Sequence, residues 1–169
     1  KLYDWVRDNI RYVALYVADG GYVPRYSEEI LHNRYGDCKD HVVLLEALLK
    51  AKGIASHGAL VSTGTNFLQT PIPVAQYFDH IMTYIPEFDL YVDSTQQYLP
   101  FAELGFRLSA KPVLHVQGRQ EIAKTPPMKA KSNQYISTLK LAFQSNGSFK
   151  GEANQISKGS IGQYVRSWV

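Results

Sequence analysis

The sequence predicts an α+β domain, and three observations predict it. Residues 36–53 form a segment of helical length closed by a glycine at each end, and the apolar residues within 42–51 leave it almost no polar face. Beyond it, short runs rich in Val, Ile, Tyr and Thr are separated by turn signals and read as strands. Helical patterns come first and strands follow, which favours a helix packed on an antiparallel sheet over alternating βαβ units.

The elements are justified in chain order. Leu2, Trp5, Val6 and Ile10 recur at helical spacing, so residues 1–11 form an amphipathic helix, followed by Tyr12-Val13-Ala14-Leu15. Gly20-Gly21 and Pro24 break the chain, and Ser27 can cap a short helix through Leu31. In the 36–53 segment Asp37 can cap and Asp40 stands three residues on, a pattern resembling a capping box. Val42, Val43, Leu44, Leu45, Ala47, Leu48, Leu49 and Ala51 leave almost no polar face, which predicts a buried central helix; Gly53 is its natural stop. Residues 54–61 read as a strand and 62–76, with Gly64, Pro71 and Pro73, as a long loop. Residues 77–85 and 90–94 are two strands around the turn Pro86-Glu87-Phe88-Asp89, and 112–117 is a further strand. Residues 122–133 have a linker composition. Beyond them two strand patterns flank Asn146-Gly147, a strong hairpin signal. The expected organisation is a core over 1–124, a linker over 125–132, and the start of a β-rich domain over 133–169.

Composition narrows the function classes. The chain has 169 residues, a net charge of +3 and one cysteine. Its basic residues are scattered rather than interleaved with aromatics in a stripe, which argues against nucleic acid as a partner. No apolar run reaches 18 residues, so no membrane-spanning helix is expected. A lone cysteine makes no internal disulfide and leaves the compartment open. The 12 tyrosines fit half-buried strand positions, or an aromatic-lined cleft for a peptide-like ligand. Starting at Lys1 inside a helix pattern, the chain reads as a piece of a longer protein.

Cys38 stands at the first or second position of the apolar helix. There unpaired N–H groups and the helix dipole favour a thiolate, the form that attacks. Gly36 would allow a tight turn and close approach of a substrate backbone. Asp37 and Asp40 oppose a thiolate, so a cationic partner such as an imidazolium is required. Five histidines are available. His32 lies in a polar stretch, His41 on the flank of the Cys38 helix, and His57 and His115 in strands. His80 differs because Asp93 lies across a hairpin from it. If Pro86-Glu87 is the turn centre, paired residue numbers sum to 173 and His80 faces Asp93. If the loop is Pro86 to Asp89, the sum is 175 and Asp93 pairs with Met82. Either odd sum keeps His80 and Asp93 on one sheet face; an even sum would separate them. His80 would then take the thiol proton while Asp93 fixes its tautomer.

Tyr35-Gly36-Asp37-Cys38-Lys39-Asp40, leading into an apolar helix that ends at Gly53-Ile54, resembles the nucleophile motif of the transglutaminase-like superfamily. Within it, the chain resembles bacterial proteins whose papain-like core lies between β domains of unknown function. Gly20-Gly21-Tyr22-Val23-Pro24-Arg25, Phe78-Asp79-His80-Ile81 and Tyr91-Val92-Asp93-Ser94-Thr95 fit the same group in the same order. The resemblance spans about residues 1–120. It implies Cys38 as nucleophile, His80 as general base and acid, and Asp93 as orienting carboxylate. Asp79 replaces the asparagine expected before the histidine. The superfamily's tryptophan oxyanion donor has no obvious equivalent, since Trp5 is far upstream and Trp168 is in the tail. The Cys38 backbone N–H is the default donor, with Tyr22 as a side-chain candidate.

The resulting expectation is a papain-like transglutaminase core, an α+β fold in which the Cys38 helix packs on an antiparallel sheet bearing His80 and Asp93. Its chemistry would be acyl transfer from peptide or carboxamide substrates to water or to an amine, with no metal and no cofactor. A periplasmic or cell-envelope location and flanking β domains are implied by the resemblance alone. The rival expectation is a catalytically silent fold of this kind that binds proteins or peptides.

Overall fold

The computed structural model describes residues 1–14, 21–64, 75–117 and 122–167. The expectations for Leu15, Gly20, most of the 62–76 loop and Trp168 fall outside the described residues, in whole or in part. Among the described residues the order is α1 (Leu2–Asn9), β1 (Arg11–Tyr12), α2 (Ser27–Asn33), β2 (Tyr35–Gly36), α3 (Cys38–Lys50), β3 (His57–Val61), β4 (His80–Ile85), β5 (Leu90–Val92), β6 (Pro112–His115), β7 (Ile122–Lys124), β8 (Tyr135–Phe143), β9 (Phe149–Ser157) and α4 (Gly159–Arg166).

The central sheet is antiparallel, with strand order β5-β4-β3-β6-β7. Strand alternation sends its side chains to two opposite cores. Ile85 and Val92 join Leu44, Leu45 and Leu49 of α3, with Tyr3, Val6 and Ile10 from the α1 segment and Ile30 of α2. Met82, Tyr91, Ala59, Val61 and Val113 face the other way and pack with Leu108. α3 is therefore the central helix, held between α1, α2 and the sheet. No helix among the described residues is long and apolar enough to cross a membrane.

Three local expectations change. Ser27 is the first helical residue of α2; Tyr26 holds the cap position and makes no side-chain cap bond. α3 is not apolar all round in its surroundings. Val43 and Glu46 are only half-buried and Ala47 is exposed, because this face borders an open cleft rather than the core. Residues 122–124, within the linker-like stretch, form β7 and pair with β6, so Val113 faces Ala123. Thr125 just beyond is buried and bonds the Leu108 carbonyl at 2.7 Å.

α3 ends at Lys50, and Gly53 follows with a φ of +75°, the left-handed stop that glycine allows. The Asn146-Gly147 turn closes a hairpin of two nine-residue strands in which Phe143 faces Phe149. β8 and β9 pair only with each other among the described residues, and nearly all of their side chains are exposed. The tail also contains a helix, α4. It returns to the core through Gln163, which donates to Gln96 at 2.6 Å, and Arg166, which donates to the Tyr98 carbonyl at 3.0 Å.

Candidate active site

Cys38 is the first residue of α3 and is 6% exposed. The capping box is present in full. The Asp37 carboxylate accepts from the backbone N–H of Lys39 at 3.0 Å and of Asp40 at 3.4 Å, and the Asp40 carboxylate accepts from the Asp37 N–H at 2.9 Å. The chain leading into this helix is pinned by β1, which runs parallel to β2 and pairs Tyr12 with Gly36. Gly36 has a different reason from the one expected. A Cβ there would lie 2.6 Å from the Asp40 Cβ, so the space is filled by the capping box rather than kept for substrate.

The two carboxylates that oppose a thiolate are both neutralised. Arg25 Nη2 lies 2.6 Å from Asp40 Oδ2, and the Arg25 backbone N–H donates to Asp40 Oδ1 at 2.8 Å. Burial works against the Asp40 charge, but the bonds from Arg25 and the Asp37 N–H overcome it and hold the carboxyl below its ordinary range. The Lys39 ammonium lies 2.5 Å from Asp37 Oδ2. Arg25 thus ties the 21–25 segment to the helix that carries the thiol. Its guanidinium also lies 4.8 Å from the centre of the Tyr35 ring.

The β4–β5 register follows the sum of 175: Thr83 faces Val92, Tyr84 faces Tyr91 and Ile85 faces Leu90. Asp93 then falls beside Met82, diagonally along from His80 on the same side, and His80 Nε2 reaches Asp93 Oδ2 at 3.0 Å. The Thr95 N–H and hydroxyl donate to the other oxygen, Oδ1, at 3.1 and 2.7 Å. From α1 the Tyr3 hydroxyl donates to the Asp93 carbonyl at 3.1 Å, fixing its backbone. Cys38 and His80 line the same cleft, and Cys38 is near enough to favour the imidazolium. With Nε2 on Asp93, Nδ1 is the ring nitrogen left free by that bond. Burial disfavours the imidazolium, but the Asp93 charge, the Asp93 hydrogen bond and Cys38 outweigh it, pushing the His80 pKa up to about 10. Asp93, 1% exposed, is held below its ordinary pKa: burial opposes its charge, and His80 and Thr95 override that.

The other histidines stand elsewhere. His41 faces the interior rather than the flank: it is fully buried, its Nδ1 is 3.3 Å from the Ser94 hydroxyl, and burial lowers its pKa. His57 Nε2 and His115 Nδ1 lie 3.0 Å apart, and His115 Nε2 is 2.9 Å from the Tyr91 hydroxyl, in an aromatic cluster on the sheet. Asp79 accepts from the N–H and hydroxyl of Thr63 at 2.7 and 2.8 Å, so it secures the start of β4 and not the imidazole. Trp5 packs against the first core, with Arg34 over its ring at 5.0 Å.

A cleft of about 690 Å³ opens between α3 and the sheet, with Cys38 and His80 in its lining. Val42, Leu60, Phe78 and Ile81 give it an apolar wall, and Tyr22, 81% exposed, stands at its rim. Gly58 also lines it, where a Cβ would come within 2.7 Å of the Ile81 Cδ1. No group of three or more His, Cys, Asp or Glu able to hold a metal occurs among the described residues.

A family model, the transglutaminase-like superfamily, matches residues 1–81. That stretch is just under half of the chain. The match contains Cys38 and ends just after His80, leaving Asp93 outside it. A solved structure from Parabacteroides distasonis, described as a candidate protease, is similar to this chain with a TM-score of 0.58 at 17% identity. The similarity covers 85% of this chain and 30% of that one, so the chain spans less than a third of its structural relative. At that identity the likeness shows the fold, a transglutaminase-like core of mixed helix and antiparallel sheet. No curated protein matches the chain.

Proposed function

We propose that this chain performs thiol-dependent acyl transfer on peptide or carboxamide substrates, with Cys38 as nucleophile, His80 as general base and acid, and Asp93 as the carboxylate that positions His80. The observation that carries the reading is that Cys38 and His80 line one cleft while His80 is bonded to Asp93 and Asp93 to Thr95. The sulfur attacks the substrate carbonyl carbon, and the carbonyl oxygen takes up negative charge. The backbone N–H of Cys38, at the uncapped first position of α3, is the nearest preorganised donor for that oxygen. Collapse breaks the C–N bond, and the departing amine takes the proton from His80. Water or a second amine then attacks the thioester carbon, giving its proton to His80, and the thiolate leaves.

Peptide hydrolysis and transamidation share every step up to the thioester. The pairing of Asp37 and Asp40 with Lys39 and Arg25 supports a reactive thiol, because the opposing charges are already balanced. Flanking β domains and a cell-envelope location belong to the same proposal. The first is supported by the exposed β8–β9 hairpin, the second by the family resemblance alone.

The test is labelling of Cys38 by iodoacetamide at neutral pH, followed by mass spectrometry. Labelling faster than free cysteine, and slowed in His80→Ala, is the expected result; equal rates in all three would refute the reading. Acyl adducts from peptide esters, released by ¹⁸O-water or by an added amine, then separate hydrolysis from transamidation.

A further inference from the structure

Glu46 is a charged group in the cleft that the acyl-transfer chemistry does not use. Cys38, Val42 and Glu46 lie at i, i+4 and i+8 on α3, and all three line the cleft. The other charged groups lining it are engaged: Lys39 with Asp37, Asp79 with Thr63, and His80 with Asp93. Glu46 has no hydrogen bond or ion pair among the described residues. Lys50, one turn further on, is exposed and forms no ion pair with it. The apolar residues that line the same cleft include Val42, Val43, Leu60 and Ile81. Burial alone pushes its pKa up to about 7, with nothing offsetting the loss of water. A half-buried carboxylate with no partner among the described residues, in an open, largely apolar cleft, is an acceptor for a cation.

We infer that Glu46 gives the cleft a preference for peptides carrying a lysine or arginine side chain two to four residues from the bond that Cys38 attacks. This rests on the acyl-transfer reading for the position of the attacked bond. Eight residues of α3 separate Cys38 from Glu46, a rise of about 12 Å. An extended peptide advances about 3.3–3.6 Å per residue, so that distance is about three to four residues of substrate. A long basic side chain reaches back over part of it, which places the selected residue two to four positions from the scissile carbonyl. The same distance excludes an alternative source of positive charge. An acceptor amine must touch the thioester carbon at Cys38 and cannot sit on Glu46 while it does so.

The test measures binding without turnover. Fluorescein-labelled alanine-rich heptapeptides, each with one Lys, Arg, norleucine or Glu walked along the sequence, are titrated into the Cys38→Ala protein, with cadaverine as a competitor representing a free amine. Lys and Arg peptides should bind about tenfold or more tighter than norleucine peptides at one or two positions, as a charge-assisted hydrogen bond supplies. Glu46→Gln should erase that preference, and Glu46→Lys should reverse it in favour of Glu peptides. Cadaverine should compete weakly. Equal affinity for Lys and norleucine peptides at every position, a Lys preference that survives in both variants, or competition by cadaverine as strong as by the Lys peptide would overturn the inference. Because no step of catalysis is read, an inactive thiol leaves this result standing, and a failed Glu46 test leaves the labelling of Cys38 untouched.

Discussion

Replacing Asp93 with asparagine exchanges one carboxylate oxygen for an NH₂ group, and Thr95 decides which way the new amide points. The Thr95 N–H cannot rotate away, so the carbonyl oxygen of an asparagine is held on Thr95 and its amide NH₂ is turned toward His80 Nε2. A donor then faces a position that in the imidazolium is also a donor. The ring must become neutral, with its hydrogen on Nδ1, and loses the ability to accept a proton on the side of Cys38. Removing one partner from a buried ion pair costs about 3–5 kcal/mol when the survivor stays charged. His80 can discharge instead, which argues for the low end, about 3 kcal/mol near neutral pH. The sign of the pH dependence is fixed by the two shifts. His80 is raised from 6.5 to about 10, so its contribution is fully present below pH 6.5 and fades as pH climbs toward 10. Asp93 is lowered from 3.8, so its contribution is present above that value and is lost only in acid. The stability gap between wild type and Asp93→Asn should therefore be widest between about pH 4 and 6.5 and close toward pH 10. Urea unfolding across that range measures it, and the His80 ring signal in NMR should titrate well below its wild-type value in the variant, where burial is opposed only by Cys38. A gap that stays constant with pH, or a variant as stable as wild type, would refute the coupling of His80 to Asp93.

Other perturbations are readable in the same way. Arg25→Ala leaves Asp40, whose side chain is 3% exposed, without its cation. It should cost about 3 kcal/mol at pH 7, with the loss shrinking toward pH 3 as Asp40 protonates, measured by urea unfolding. Gly36→Ala puts a methyl group 2.6 Å from the Asp40 Cβ and should break the capping box. A loss of about 1–3 kcal/mol is expected, with slower alkylation of Cys38. Glu46→Gln should act in the opposite direction. The fold favours protonated Glu46, raised from 4.5 to about 7, so wild-type stability falls as pH rises through that window. The variant should be more stable than wild type by about 1–2 kcal/mol at pH 8, discounted for contact with water, and equal to it at pH 4. Thermal unfolding at the two pH values checks this.

Much of the site could be read from the sequence because its determinants are local. The capping box needs only residues 37–40, and the pairing of His80 with Asp93 needs only a hairpin whose register is limited to two odd sums. Thr95 was equally accessible, since a threonine two residues after an aspartate bonds back to it by local geometry. What escaped depends on tertiary position. Arg25 was visible within Gly20–Arg25, but its union with Asp40 spans 15 residues of chain. His41 follows the same rule in reverse. It shares the buried face of α3 with Leu44, Leu45 and Leu49, and that periodicity would have placed it inside. Apolar composition hid the open face of α3, because a helix bordering a cleft and a helix buried on every side carry similar residues. Glu46 was the signal to the contrary, one acid in an apolar run. At the 122–124 stretch, lysines and prolines masked a strand whose pairing with β6 is set by the sheet and not by its own propensity.

The central claim is that His80, held by Asp93, makes Cys38 a nucleophile. The rate of Cys38 alkylation by iodoacetamide at pH 7, compared among wild type, Asp93→Ala and His80→Ala, tests it most directly. Wild type should react faster than free cysteine, with Asp93→Ala slower and His80→Ala slower still. Equal rates in all three proteins would contradict it.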